Sequence, residues 1–192
     1  MKETKAQIKV AIDLDDTISN FVEIWIDKYN EIYSDNLMKE SITDWDVGKF
    51  TKRGSKIYEL LNNSDIYLNA SIKYGAKDTI EWMQCNGFDP YIVTATYNYR
   101  ACAPKTLWIK RELPKFDISK VIFCNNKNMI SADILIDDKY DNVKNFHGVG
   151  YLFGDDNGWN KKFKYEPRLP NWEYVYTMMK MIIDNDLLKG RK

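Results

Sequence analysis

The stretch IKVAIDLDDTISNF sets Asp13, Asp15 and Asp16 against the end of an apolar run, and ADILIDD closes a second run with Asp137 and Asp138. Two carboxylates ~4 Å apart repel by roughly 4 kcal/mol at an effective dielectric of 20. Several such pairs would cost more than a single domain can spare. A bound cation, a shared proton or splaying into water would relieve them. Oxygen donors without histidine or thiolate favour Mg²⁺ over zinc. Residues i and i+2 of an extended chain face the same way, so Asp13 and Asp15 point together and Asp16 points elsewhere. Two like carboxylates in unlike surroundings can divide labour, one as nucleophile and one as proton donor. A metal site that takes a phosphate also needs a second positive group and hydroxyl or amide donors. Thr94, ending the run YIVTAT, and Lys127, ten residues before Asp137, are placed to supply them. Lys105 and Lys110, in a helical stretch, are rivals for the cationic role.

These groups need elements to bring them together. Residues 8–14, 89–95, 120–124, 132–138 and 149–153 read as short, β-branched, continuous apolar strands of the kind buried on both faces. Helical spacing covers 77–86, followed by Gly87 as a cap, and 103–113, stopped by Pro114. Asn171 caps a last helix over 172–188. Strands alternating with helices imply an α/β fold with a Rossmann-like parallel sheet. The carboxyl ends of parallel strands share one edge, where ligands bind. Asp13, Asp15, Asp137 and Asp138 are therefore expected in one small space.

From 21 to 74 the rhythm breaks: helical patterns and many aromatic residues, without a convincing buried strand. The expected organisation is an α/β core of 1–20 and 75–192 with a small helical cap, 21–74, inserted after the first strand. GDDNGWNKK, residues 154–162, lacks calcium-loop spacing and reads as a solvated loop. Trp108 and Trp172 read as core, His147 as a surface residue, and Cys85 and Cys124 as small buried hydrophobes.

Composition narrows the function classes. The chain has 192 residues, with 28 acids balanced by 28 bases, so no polybasic surface for nucleic acid or membrane is expected. Its apolar runs fall short of the ~20 residues of a spanning helix, and MKETKAQIKV lacks a secretory apolar core. The three cysteines form no CxxC pair and read as free thiols, with a cytoplasmic location as the expectation.

In order along the chain, DLDDT, the strand ending in Thr94, Lys127 and the pair Asp137–Asp138 resemble the four motifs of the haloacid dehalogenase-like phosphohydrolases. A lone DxDxT would say little, whereas four motifs at matching spacing say much more. NNKNMISADILIDD is similar to the corresponding stretch of the 5'(3')-deoxyribonucleotidases, as are ITDWD, KTLWIKREL and LPNWEYV. Phe21, eight residues after Asp13, fits that group's aromatic at the cap entrance.

The resemblance implies roles. Asp13 would attack phosphorus and form an aspartyl-phosphate. Asp15 would protonate the leaving oxygen and then deprotonate the hydrolytic water. Mg²⁺ would be held by the Asp13 carboxylate, the Asp15 backbone carbonyl and Asp138, with Asp137 orienting a metal water or Lys127 from behind. Thr94 and Lys127 would hold the phosphoryl oxygens. Phe21, Trp45 and Tyr67 would roof the substrate, a (deoxy)ribonucleoside monophosphate. The vertebrate members carry glycine at Asp16, arginine at Asn125 and serine at Ala95, so base preference does not transfer. Asn125 is expected to offer a base either a donor or an acceptor. A phosphatase of another small ester or of a nucleic-acid 3'-end, and a silent metal-binding regulatory domain, are the competing functions. Neither base, sugar, phosphate position nor oligomeric state is determined, and a homodimer stays open.

Overall fold

The computed structural model describes residues 7–155 and 157–185. Among them, β1 (Ile8–Ile12), β2 (Phe88–Thr94), β3 (Val121–Phe123), β4 (Ile134–Asp137), β5 (Val149–Phe153) and β6 (Arg168–Leu169) form one sheet in the order β3-β2-β1-β4-β5-β6. Every pairing is parallel, with Ile12 level with Ile92 on one side and Ile136 on the other. The α/β reading therefore holds, with boundaries shifted by a residue or two. The two-residue β6 was not foreseen, being too short to show a pattern.

Alternation along the strands divides the core. Val10, Ile12, Ile134 and Ile136 face one layer, packed with Ile80, Met83, Trp108, Trp172 and Met179. Ala11, Val93, Leu135 and Leu152 face the other, with Val143 and Phe146. The helices supplying these layers are α4 (Ala76–Cys85), α5 (Cys102–Glu112), α6 (Tyr140–Lys144) and α8 (Trp172–Asp184). Asn171 caps α8 by accepting from the backbone N–H groups of Glu173 and Tyr174. The last residues expected in that helix lie outside the described residues. Trp108 and Trp172 are core, as expected.

Between β1 and α4 the chain forms α1 (Phe21–Tyr33), α2 (Lys56–Glu59) and α3 (Ser64–Leu68), with short 3₁₀ turns. Their apolar faces gather into a separate cluster around Phe21, Trp25, Tyr29, Ile42, Ile57 and Tyr67. Trp159, from the short α7 (Gly158–Lys161) beyond β5, joins that cluster.

Two expectations are corrected. Cys85 is exposed, because Ala76, Ile80 and Met83 carry the inward stripe of α4 and two further residues turn it ~200° away. Cys124 is partly buried. The loop 154–162 is not uniformly solvated: Gly158, Trp159 and Asn160 are buried. A β-carbon on Gly158 would meet the Ile42 carbonyl oxygen at 2.3 Å, so glycine permits a contact that a polar reading of the loop could not anticipate.

Candidate active site

β1 and β4 end side by side, and the loops leaving them carry the acids. Lys127 Nζ, buried in the 3₁₀ turn Lys127–Met129, touches the Asp13 carboxylate and reaches Asp137 Oδ2 at 2.5 Å. Asp137 is held further by the Lys139 backbone N–H at 2.8 Å and by the Asn142 side-chain amide. Burial alone would depress the Lys127 ammonium, but the Asp13 and Asp137 carboxylates outweigh it and raise its pKa. Burial pushes Asp13 up to about 7, helped by the charges of Asp137 and Asp15 and opposed by Lys127. Asp138 accepts from the Trp159 indole N–H at 2.8 Å. Burial, then the charges of Asp13, Asp137 and Asp16, raise it well above the ordinary carboxylate range.

Asp15 meets a different cation. Lys105 Nζ lies 2.5 Å from Asp15 Oδ2, 2.9 Å from Thr94 Oγ1 and 2.7 Å from the Ala95 carbonyl. The sequence reading preferred Lys127 to Lys105; the structure brings both to the site. Lys105 precedes Trp108 by three residues and Ile109 by four, on the buried face of α5, and that spacing was the available signal. Thr94 is fully buried behind Lys105, while Ala95 and Thr96 reach the cavity surface.

The acids and lysines floor a cavity of about 440 Å³. Phe21, Trp25, Leu61 and Tyr67 form much of its apolar wall, with Trp45 and Trp159 on another side. Phe21 and Tyr67 stack at 5.0 Å, and the Tyr67 hydroxyl donates to the Leu61 carbonyl. Trp45 is 41% exposed, packed on Trp159 at 5.6 Å with Lys139 over its face. All three rings singled out from the sequence thus line this cavity. Asn125 lines it too, but its Oδ1 accepts from the Thr96 backbone N–H at 2.9 Å. That contact ties the carbonyl end of the amide to the loop after β2 and uses one of its two acceptor lone pairs. Asp16 was given no role, yet it is buried here and accepts from Lys39 Nζ and the Val22 backbone N–H.

Of the five carboxylates Asp13, Asp15, Asp16, Asp137 and Asp138, four are contacted by the ammonium groups of Lys39, Lys105 and Lys127, so acids outnumber the lysines that touch them, and Asp138 is bonded by the Trp159 indole. Among the described residues, no three His, Cys, Asp or Glu side chains converge as a ready ligand set. Mg²⁺ does not require one, since one or two carboxylates with carbonyl, water and phosphate oxygens suffice. The all-oxygen donors and the surplus of acids fit a divalent cation.

Carboxylates gather at the ends of β1 and β4 of a six-stranded parallel sheet, an architecture that solved structures share. YfnB from Bacillus subtilis, a magnesium-bound chain of the HAD-hydrolase type, superposes with a TM-score of 0.58 at 17% identity, over 91% of this chain and 99% of its own. A HAD-superfamily hydrolase from Ehrlichia chaffeensis gives 0.56 at 15% identity, over 94% and 100%. At such identities the likeness is one of fold. Residues 6–185 match the family model of the 5' nucleotidase, deoxy (Pyrimidine), cytosolic type C proteins, and the chain belongs to that family. It is 38% identical to the 5'(3')-deoxyribonucleotidase of Clostridium acetobutylicum over 146 residues, 75% of this chain and 80% of that one. It is 30% identical to that of Bacillus subtilis over 168 residues, 86% and 95%. Among the described residues no helix is long and apolar enough to cross a membrane.

Proposed function

We propose that the chain is a Mg²⁺-dependent phosphatase of deoxyribonucleoside monophosphates. The observation that carries this reading is the pairing of Asp13 and Asp15 with separate lysines at the floor of a cavity walled by aromatic rings. Family membership supports it, and the relatives described above are named for that activity. We read 21–74 as a cap over an α/β core of 1–20 and 75–192.

In this reading Asp13 attacks phosphorus. Its Oδ–P bond forms as the P–O bond to the nucleoside breaks, and Asp15 gives its proton to the leaving oxygen. Water then attacks the aspartyl-phosphate, Asp15 takes the water's proton, and phosphate leaves with Asp13 restored. Lys127 lies against Asp13 and offsets charge on the phosphoryl oxygens, with Asp137, itself held by the Asn142 amide, fixing the lysine from behind. Lys105 holds the Asp15 carboxyl in place, and Thr94 acts through Lys105 rather than at the cavity surface. The Asp13 carboxylate, the Asp15 carbonyl and Asp138 would hold Mg²⁺. When bound, the ion supplies positive charge to the phosphate and balances the acids.

An apolar wall beside the sugar strands a 2'-hydroxyl without a partner, at a cost of ~1–3 kcal/mol. Deoxyribose should therefore be favoured about tenfold to a hundredfold. Phosphate release from ribo- and deoxyribonucleoside 5'- and 3'-monophosphates, with and without Mg²⁺, tests the reading. UMP cleaved as fast as dUMP would remove the sugar discrimination. Activity confined to esters without a base would remove the nucleotidase.

A further inference from the structure

Asp16 adopts φ 56°, a left-handed conformation that side chains other than glycine enter at a cost, and its side chain is 2% exposed. Two contacts explain what holds it there. Its Oδ2 accepts from the Val22 backbone N–H at 3.0 Å, in the first turn of α1. Asn20, at the capping position of that helix, makes no cap; its amide is engaged by Ser71 and Lys73. Asp16 Oδ1 accepts from Lys39 Nζ at 2.8 Å. The Lys39 side chain is 9% exposed, and its ammonium also lies 3.8 Å from Glu23 and 5.7 Å from the centre of the Trp159 ring.

A buried ion pair adds little stability over well-packed apolar residues, and its best-attested use is to fix one arrangement among several. Here the arrangement concerns residues 38–45. On one side this segment rests against α7: Gly158 abuts the carbonyls of Glu40 and Ile42, Lys162 donates to the Thr43 carbonyl, and Trp45 packs on Trp159. On the other side Lys39 joins it to the loop that carries Asp13 and Asp15. The segment itself brings Ile42, Asp44 and Trp45 to the cavity wall.

We infer that the Asp16–Lys39 pair is a tether that positions the 38–45 segment, and with it the Trp45 wall, over the base and sugar of the substrate. Lys39 and Asp16 are positioning residues in this account. The inference rests on the nucleotidase reading above. It predicts a selective defect: a small ester that does not reach Trp45 should feel the loss far less than a nucleotide does.

The test measures kcat and KM for dUMP and p-nitrophenyl phosphate in the wild type, Lys39→Met, Asp16→Gly, the double variant and Lys39→Arg. Lys39→Met should raise KM for dUMP about tenfold, the scale of one well-placed aromatic contact, with a much smaller change in kcat. The ratio of kcat/KM for dUMP to that for p-nitrophenyl phosphate should fall accordingly. Lys39→Arg should restore most of that ratio. Losses in the double variant should be well below the product of the single losses, as for partners in one interaction. An unchanged substrate ratio in Lys39→Met, or multiplicative losses in the double variant, overturns the tether. If Lys39→Met does not fold, Asp16→Asn takes its place: it weakens the ion pair yet keeps an acceptor for Val22, and an unchanged ratio there is equally fatal. A wild type that cleaves p-nitrophenyl phosphate but no nucleoside monophosphate overturns the nucleotidase reading and the tether with it. One that cleaves dUMP normally while Lys39→Met keeps its ratio overturns the tether alone.

Discussion

Asp13 and Asp15 stand two residues apart and meet different cations, one enclosed with Lys127 and one against Lys105 at the cavity floor. The spacing was legible in the sequence, and so was the need for a counter-charge. Which lysine serves which acid was not, because α5 and the loop after β3 reach the site from separate parts of the chain. Asp13→Asn keeps the shape and removes the proposed nucleophile. Turnover should fall by about three orders of magnitude or more. Its melting temperature should hold or rise, since one charge leaves a crowded acidic cluster. Phosphate-release kinetics beside thermal melts check both outcomes, and near-normal turnover would rule out attack by Asp13.

At the scale of elements, α1 ends at Tyr33, and Ser34 takes a left-handed conformation that turns the chain. Asp35 then anchors that end to the loop after Phe50. It accepts from the backbone N–H groups of Lys52 and Asn36 and from the Tyr29 hydroxyl. The Lys52 N–H bond is foremost in holding its carboxyl down to about 2. A carboxyl depressed in the folded state stabilises the fold above its unfolded value, ~3.8, and that contribution is lost as pH falls toward 2. Asp35→Asn should therefore melt below the wild type at pH 7, with the gap closing between about pH 4 and pH 2. Parallel melting curves across that range would show that the contacts matter without the charge. At this scale the sequence marked the long strands and helices well. It missed β6 and α7, whose few residues owe their conformation to contacts with Leu152, Phe153, Ile42 and Asp138 rather than to local pattern.

For the molecule as a whole, the proposed Mg²⁺ site would tie folding stability to cation binding, because the ion would sit among crowded acids. A ligand at a hundred times its Kd stabilises the folded state by ~2.7 kcal/mol, which in a chain of this size is roughly 5–10 °C in Tm. Mg²⁺ should raise the melting temperature on that scale, and Asp138→Asn should shrink the rise. Melts with and without millimolar Mg²⁺, in both proteins, decide it. No shift in the wild type, together with full activity in excess chelator, would remove the metal from the account.

By itself the sequence determined the parallel α/β fold, the family, and the acids that must meet at one sheet edge. Those follow from apolar runs and from motif order, which are local properties read along the chain. Tertiary structure alone decided that Lys105 joins Lys127 at the floor, that Thr94 lies behind the cavity surface, and that the Asn125 carbonyl is tied to the Thr96 backbone. It also decided that Asp16 grips Lys39. In each case the deciding partner is distant in sequence: Asp15 for Lys105, Lys105 for Thr94, Thr96 for Asn125, Lys39 for Asp16. Burial and hydrogen-bond direction depend on what the fold places opposite a group, and residue order alone does not encode them.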